Sequence, residues 1–292
     1  MKTDTGNETW MGLARQNMTR AAMMLVMMLT CLAAGANTVT LTSSTGQVTL
    51  NNGDVVTGTG GANTYLVISS GATVTLSGVD ITNYNLDYHN EIPTGIACQG
   101  DATIILAKGT TNTIIGCYYL DPCIKVGPEG TTLTIKGYGT LVLRSWGWGA
   151  CIGSRNQQAC GNIVIEGGTL DLKTGIDTQG QSFSGYAACI GSGGHGGSCG
   201  DITISGGNIH AESSFGAAAI GCGASVHEVN VTMVPVSSTC GNINITGGTI
   251  YAYPTSARGG AAIGGGYRGH CGNISISGIT SVSAVKDSRR SP

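Results

Sequence analysis

Four phrases, CGNIVIEGG, CGDITISGG, CGNINITGG and CGNISISG, begin at Cys160, Cys199, Cys240 and Cys271. Three further cysteines, Cys151, Cys189 and Cys222, lie upstream of them in the same repeats. Thiols that recur in register can bind a metal, form disulfides or pack as small apolar groups. A structural zinc site needs about four ligands converging at about 2.0–2.3 Å. One sulfur per repeat spreads the ligands along a line instead, and His195 and His270 do not change that. Disulfides remain open in two patterns. Along the column, Cys160–Cys199, Cys240–Cys271 and Cys151–Cys189 would pair. Within repeats, Cys151–Cys160, Cys189–Cys199 and Cys222–Cys240 would pair. The second pattern gains from Cys222, which follows three residues after Ala219, where the first cysteine is missing. Reduced thiols buried as apolar residues are the third reading.

Carboxylates are the next candidates. Asp87 and Glu91 in NLDYHNE, with Asp101 nearby, make an oxygen-rich stretch of the kind that binds Ca²⁺; a plain polar loop is the competing reading. Hydrolysis of a glycosidic bond would need two or three close carboxylates. The repeat strands carry Glu166, Asp171, Asp201 and Glu212, but Asp171 and Glu212 do not recur at one repeat position. They read as isolated solvated groups, and the chain is expected to be non-catalytic. GSGGHGGSCG from Gly191 lacks the Gly-Lys-Ser/Thr ending and the following helix that a phosphate cradle uses.

Aromatic residues have a regular placement. Trp148 and Tyr186 each stand three residues before Cys151 and Cys189, and Phe215 stands four before the equivalent Ala219. Stacked repeats would bring the three into a column. Trp146 shares a face with Trp148 if that stretch is extended. Exposed, the column is a platform for sugar rings, with Trp146, Trp148, Tyr186 and Phe215 as carbohydrate contacts. Buried, it is a stack in the end wall of the core. Tyr251, Tyr253 and Tyr267 are weaker members of the same idea.

The elements that must position these groups follow from the repeats. The shared frame is Ala-(Cys/Ala)-Ile-Gly, a variable loop, Cys-Gly-(Asn/Asp)-Ile-x-Ile, a glycine turn and a second alternating strand. Ile163 and Ile165, Ile202 and Ile204, Ile243 and Ile245, and Ile274 and Ile276 alternate with polar residues, the period of a strand with one buried face. Beyond residue 36 no helical period is present. Short strands, glycine turns and a 30–40-residue repeat predict a parallel β-helix of about eight coils. Asn162, Asp201, Asn242 and Asn273 should form a structural ladder beside the cysteines. The excess residues form side loops, Gly175–Gly185 and Ala224–Thr239, on one flank. The stack leaves open ends, where an oligomer or capping partner could sit.

Composition agrees. Of 292 residues, 49 are glycine and only 10% are charged, against about 7% and 25% in typical chains. A net charge of −2 without a basic stripe argues against nucleic acid as a partner. Residues 1–36 read as a signal peptide: Arg20, an apolar run from Ala21 to Leu32, then Ala34-Gly35-Ala36. The rival is a lipoprotein signal at Cys31, which Thr30 fits poorly. Export would place residues 37–292, the β-helix domain, outside the cell without membrane insertion.

TIILAKGTTNTII and LTIKGYGTLV, over Thr103–Ile115 and Leu133–Val142, resemble the secreted carbohydrate-binding domain family built as a right-handed parallel β-helix. The AAIGGG and CGxIxIxGG repeats resemble extracellular repeat proteins of gut-type bacteria, often attached to surface adhesins. The two resemblances span about Asn37 to Val285. They imply polysaccharide binding at or outside the cell surface, with room for calcium, and supply no catalytic motif. An adhesin-type stalk that touches proteins or cell surfaces without binding glycan is the alternative.

Overall fold

Alternating isoleucines and leucines decide the architecture, because each alternate side chain leaves water completely. Ile163, Ile165, Ile202, Ile204, Ile243 and Ile245 are all fully buried, each worth about 1.5–3 kcal/mol of apolar burial. The computed structural model of the protein describes residues 37–82, 95–115, 120–176, 185–225, 237–255, 260–278 and 281–285. Residues 1–36, expected to be a signal peptide, together with Asp87, Glu91 and most of both side loops, lie outside the described residues.

The chain is a parallel β-helix with three walls. Eight short strands form the first: Gln47–Leu50, Tyr65–Ile68, Ile96–Cys98, Ile124–Lys125, Ile152–Gly153, Ile190–Gly191, Ile220–Gly221 and Ile263–Gly264. Eight strands correspond to the eight expected coils. The second wall runs through Ala102–Leu106, Thr132–Gly137, Asn162–Ile165, Ile202–Ile204, Ile243–Ile245 and Ile274–Ile276. The third runs through Thr111–Ile115, Thr140–Ser145, Thr169–Thr174, Asn208–Ser213, Thr249–Pro254 and Ser281–Ala284. One long strand, Ala72–Thr82, belongs to both: Ala72–Leu76 pairs with the second wall and Asp80–Thr82 with the third. A left-handed glycine, Gly168, Gly207 or Gly248, with φ of 92°, 96° and 92°, turns the chain from the second wall to the third.

A side-chain ladder holds the corner before the second wall. Asn162 Oδ1 accepts from the Asp201 amide at 2.9 Å, Asp201 Oδ1 from Asn242 at 2.7 Å, and Asn242 Oδ1 from Asn273 at 2.9 Å. The expected ladder is therefore present, and it starts earlier. Asp101 Oδ1 accepts from the Thr132 amide at 2.7 Å, and Thr132 lies opposite Asn162. Asp101, a calcium candidate with Asp87 and Glu91, thus also braces the next coil. Among the described residues no three His, Cys, Asp or Glu side chains converge to hold an ion.

The ladder explains the glycines after Cys199, Cys240 and Cys271. A Cβ on Gly241 would lie 2.2 Å from Asp201 Oδ1 and 3.0 Å from the Gly200 carbonyl carbon. Gly241→Ala is thus expected to cost about 1–3 kcal/mol by overpacking. Asp201→Ala should cost about 0.5–1.5 kcal/mol, one hydrogen bond, and Asp201→Asn, which keeps the acceptor, almost nothing. Urea unfolding midpoints of the three variants check this order. A Gly241→Ala variant as stable as the parent would contradict it.

Candidate functional site

The third wall buries Leu141 and Leu143, Leu170 and Leu172, Ile209 and Ala211, and Ile250 and Ala252. The period of two therefore turns the intervening residues outward. Parallel register then sorts them into two columns. One runs Val142, Asp171, His210, Tyr251; the other runs Arg144, Lys173, Glu212, Tyr253.

Neighbouring columns are tied together. Arg144 Nη2 donates to Asp171 Oδ2, and Arg144 Nη1 donates to the Asp171 carbonyl at 2.8 Å. Lys173 Nζ lies 3.0 Å from Glu212 Oε2. His210 sits between both carboxylates, with Nε2 3.1 Å from Glu212 Oε1 and Nδ1 3.6 Å from Asp171 Oδ1. Its ring lies 4.8 Å from that of Tyr251, which lies 6.1 Å from Tyr253; both pairs are inclined at 35°. Surface pairs of this kind add at most about 1 kcal/mol each. Their larger effect is to fix acceptors, donors and rings on a rigid floor.

Asp171 and Glu212 do fall in different columns, as the sequence implies, but they are not isolated. Burial would raise the Asp171 carboxyl; the Arg144 hydrogen bond and charge, helped by Lys173 and His210, override it and hold it below the usual aspartate range. His210, Lys173 and Arg144 escape a reading by residue type alone. The signal was available in the alignment of TLDLKT on NIHAES, which sets Asp171 beside His210 and Lys173 beside Glu212.

The predicted aromatic column does assemble. Trp148 and Tyr186 centroids are 5.6 Å apart, Tyr186 and Phe215 4.8 Å, both edge-on. His195 joins them, 4.6 Å from each of Trp148 and Tyr186. Its position is a corner of the coil, and burial overturns the platform for two members. Tyr186 is 7% exposed and Trp146 9%, so neither presents an open face to a sugar. Trp146 and Trp148 lie in a turn beyond the Thr140–Ser145 strand, not in extended chain. Trp148 and Phe215 are half-buried. The exposed rings among the described residues are Tyr138, Tyr251 and Tyr267.

Among the described residues seven cysteines form two columns, Cys123, Cys151 and Cys189 in one and Cys160, Cys199, Cys240 and Cys271 in the other. Cys151 contacts both Cys123 and Cys189. Cys199 contacts Cys160, and Cys240 contacts Cys222 and Cys271. Of the nine described cysteines, eight are buried and Cys271 is half-buried. Burial pushes the solitary Cys98 thiol up to about 12. Although Ala219 holds the first-column place, Cys222 lies against Cys240, its within-repeat counterpart. It continues a serine column: Ser154 Oγ accepts from Gly193, Ser192 Oγ from Gly223, and Cys222 Sγ from Gly266, at 2.9, 3.0 and 3.4 Å.

Comparison with family models, with curated proteins and with solved structures finds no match to this chain.

The lowered Asp171 carboxyl has a pH consequence. A depressed folded value contributes stability above the unfolded value, about 3.9, and that contribution disappears as pH falls through the folded value. Asp171→Asn should therefore unfold at lower urea than the parent at pH 7, with the gap closing below about pH 4. A gap of constant size from pH 7 down to pH 3 would contradict the Arg144–Asp171 assignment.

Proposed function

We propose that this protein is a non-catalytic, extracellular polysaccharide-binding β-helix module. The observation that carries the reading is the strip of Tyr251 and Tyr253 beside His210, Asp171 and Glu212 on the outer third wall. Aromatic faces suit the apolar C–H face of a pyranose ring, and carboxylates, imidazole and ammonium suit its hydroxyls. Ring spacing set by parallel strands gives a flat, repeating surface, which matches a ligand that is itself a repeating chain. The resemblance to secreted carbohydrate-binding β-helices supports the same reading, as does the near absence of a basic surface that would attract nucleic acid. The carbohydrate contacts thereby move from Trp146 and Tyr186 to Tyr251 and Tyr253.

An adhesin-type stalk is the second reading. It rests on the resemblance of the CGxIxIxGG repeats to extracellular repeat proteins often attached to surface adhesins.

Affinity gels containing plant, fungal or mucin polysaccharides separate the two. Retardation on at least one of them is expected, weakened about tenfold, equivalent to about 1.4 kcal/mol, by Tyr251→Ala with Tyr253→Ala. Tyr138→Ala, on a different face, should leave it unchanged. The absence of retardation on every polysaccharide would overturn glycan binding and leave the stalk.

A further inference from the structure

The outer face of the third wall carries its charges in matched pairs. Over the four coils from Arg144 to Tyr253, the outward residues form three columns. The first is uncharged and polar: Thr140, Thr169, Asn208 and Thr249. The other two hold the strip already described. Arg144 and Lys173 are its fixed cations, and Asp171 and Glu212 are its carboxylates. Arg144 commits its guanidinium fully, to Asp171 Oδ2, to the Asp171 carbonyl at 2.8 Å and to the Leu143 carbonyl at 3.0 Å. Lys173 Nζ faces Glu212 Oε2 at 3.0 Å, and His210 Nε2 faces the other oxygen of the same carboxylate at 3.1 Å. Each fixed charge therefore meets its opposite within the strip.

We propose that this strip selects neutral polysaccharides and discriminates against carboxylated, sulfated or amine-bearing ones, an inference that rests on the glycan-binding reading above. A sugar carboxylate or sulfate needs a cation. On this wall it could take one only by displacing Asp171 or Glu212, which would then stand beside it as an unpaired like charge. Removing one partner of a desolvated pair is the costly case, because the other charge is left uncompensated. A sugar ammonium meets the same obstacle at Arg144 and Lys173. Hydroxyls do not. A paired carboxylate keeps spare lone pairs and a paired ammonium keeps spare N–H groups, so a sugar hydroxyl can bond to either without breaking the pair. Tyr251, 36% exposed, offers an uncharged ring face. The Thr140, Thr169, Asn208 and Thr249 column adds neutral donors and acceptors at the coil spacing of about 4.7–4.9 Å. The pairing thus silences the charges while leaving their hydrogen-bonding capacity in place.

The test is a set of binding isotherms of the full chain with soluble polymers: mixed-linkage glucan, galactomannan and arabinoxylan as neutral probes, and polygalacturonate, a sulfated galactan and glycol chitosan as charged ones. Each is measured at ionic strengths of about 0.01 M and about 0.15 M, where the screening length falls from about 30 Å to about 8 Å. At least one neutral polymer is expected to bind about tenfold tighter than any charged one, equivalent to about 1.4 kcal/mol, with little change between the two ionic strengths. Glu212→Gln leaves Lys173 without its carboxylate and should narrow the preference over polygalacturonate by up to about fivefold at low ionic strength, the effect of one exposed ion pair. Asp171→Asn, which releases Arg144, should act in the same direction, and circular dichroism reports whether each variant keeps its sheet. Tightest binding to a charged polymer, weakened by salt, would overturn neutral selection and leave glycan binding standing. A neutral preference that neither folded variant narrows would overturn the pairing as its cause. Binding to no polymer at all would overturn the glycan reading itself, and this inference with it.

Discussion

Parallel hydrogen bonding between successive coils holds equivalent residues about 4.7–4.9 Å apart, and every side chain must suit its own counterpart on the coils above and below. Each column meets that constraint with different chemistry. Isoleucine on isoleucine excludes water from the interior. Carboxamide and carboxylate oxygens on the corner accept the amide of the next coil, from Asp101 through Asn242. Serines at Ser154 and Ser192 do the same at another corner. Glycine follows Cys199, Cys240 and Cys271 because the Asn or Asp oxygen of the preceding coil occupies the place of a Cβ, and follows Cys160 because the Thr131 carbonyl oxygen does.

The same register sets what the outer face can do. A residue on the third wall is placed by its strand position, not by its local sequence, so side chains from coils separated by long loops become neighbours. Arg144, Asp171, Lys173, His210, Glu212, Tyr251 and Tyr253 come from four coils. Their ion pairs are individually weak, yet the wall beneath them is fully buried and cannot easily rearrange. A rigid strip with fixed rings and fixed polar groups binds with little ordering cost, which is what recognition of a repeating polymer would need.

Much of this was legible in the sequence. The isoleucine alternation, the Asn and Asp ladder and the Trp148, Tyr186 and Phe215 column all follow from counting residues relative to the repeated Cys-Gly. The membership of Asp101 in the ladder was hidden because its coil lacks that marker. Exposure was hidden as well: Tyr186 and Trp146 sit at a corner whose turn geometry, not strand periodicity, determines what is covered. Cys222 has two memberships: its sulfur continues the serine column, and it also meets Cys240, the counterpart that the within-repeat pattern gave it. The His210 strip was legible only by carrying the repeat frame one strand further, since TLDLKT and NIHAES stand at the same distance from their Cys-Gly and so set Asp171 beside His210.

Amide hydrogen exchange of the corner residues tests the coil-to-coil register most directly. If each ladder oxygen holds the next coil's amide, the N–H groups of Asp201, Asn242 and Asn273 exchange slowly although their side chains lie at the surface, and protection at Asn242 falls selectively in Asp201→Ala. Exchange of these three amides at the rate of an open turn in the folded protein would contradict the register on which the columns, the outer strip and the thiol line all depend.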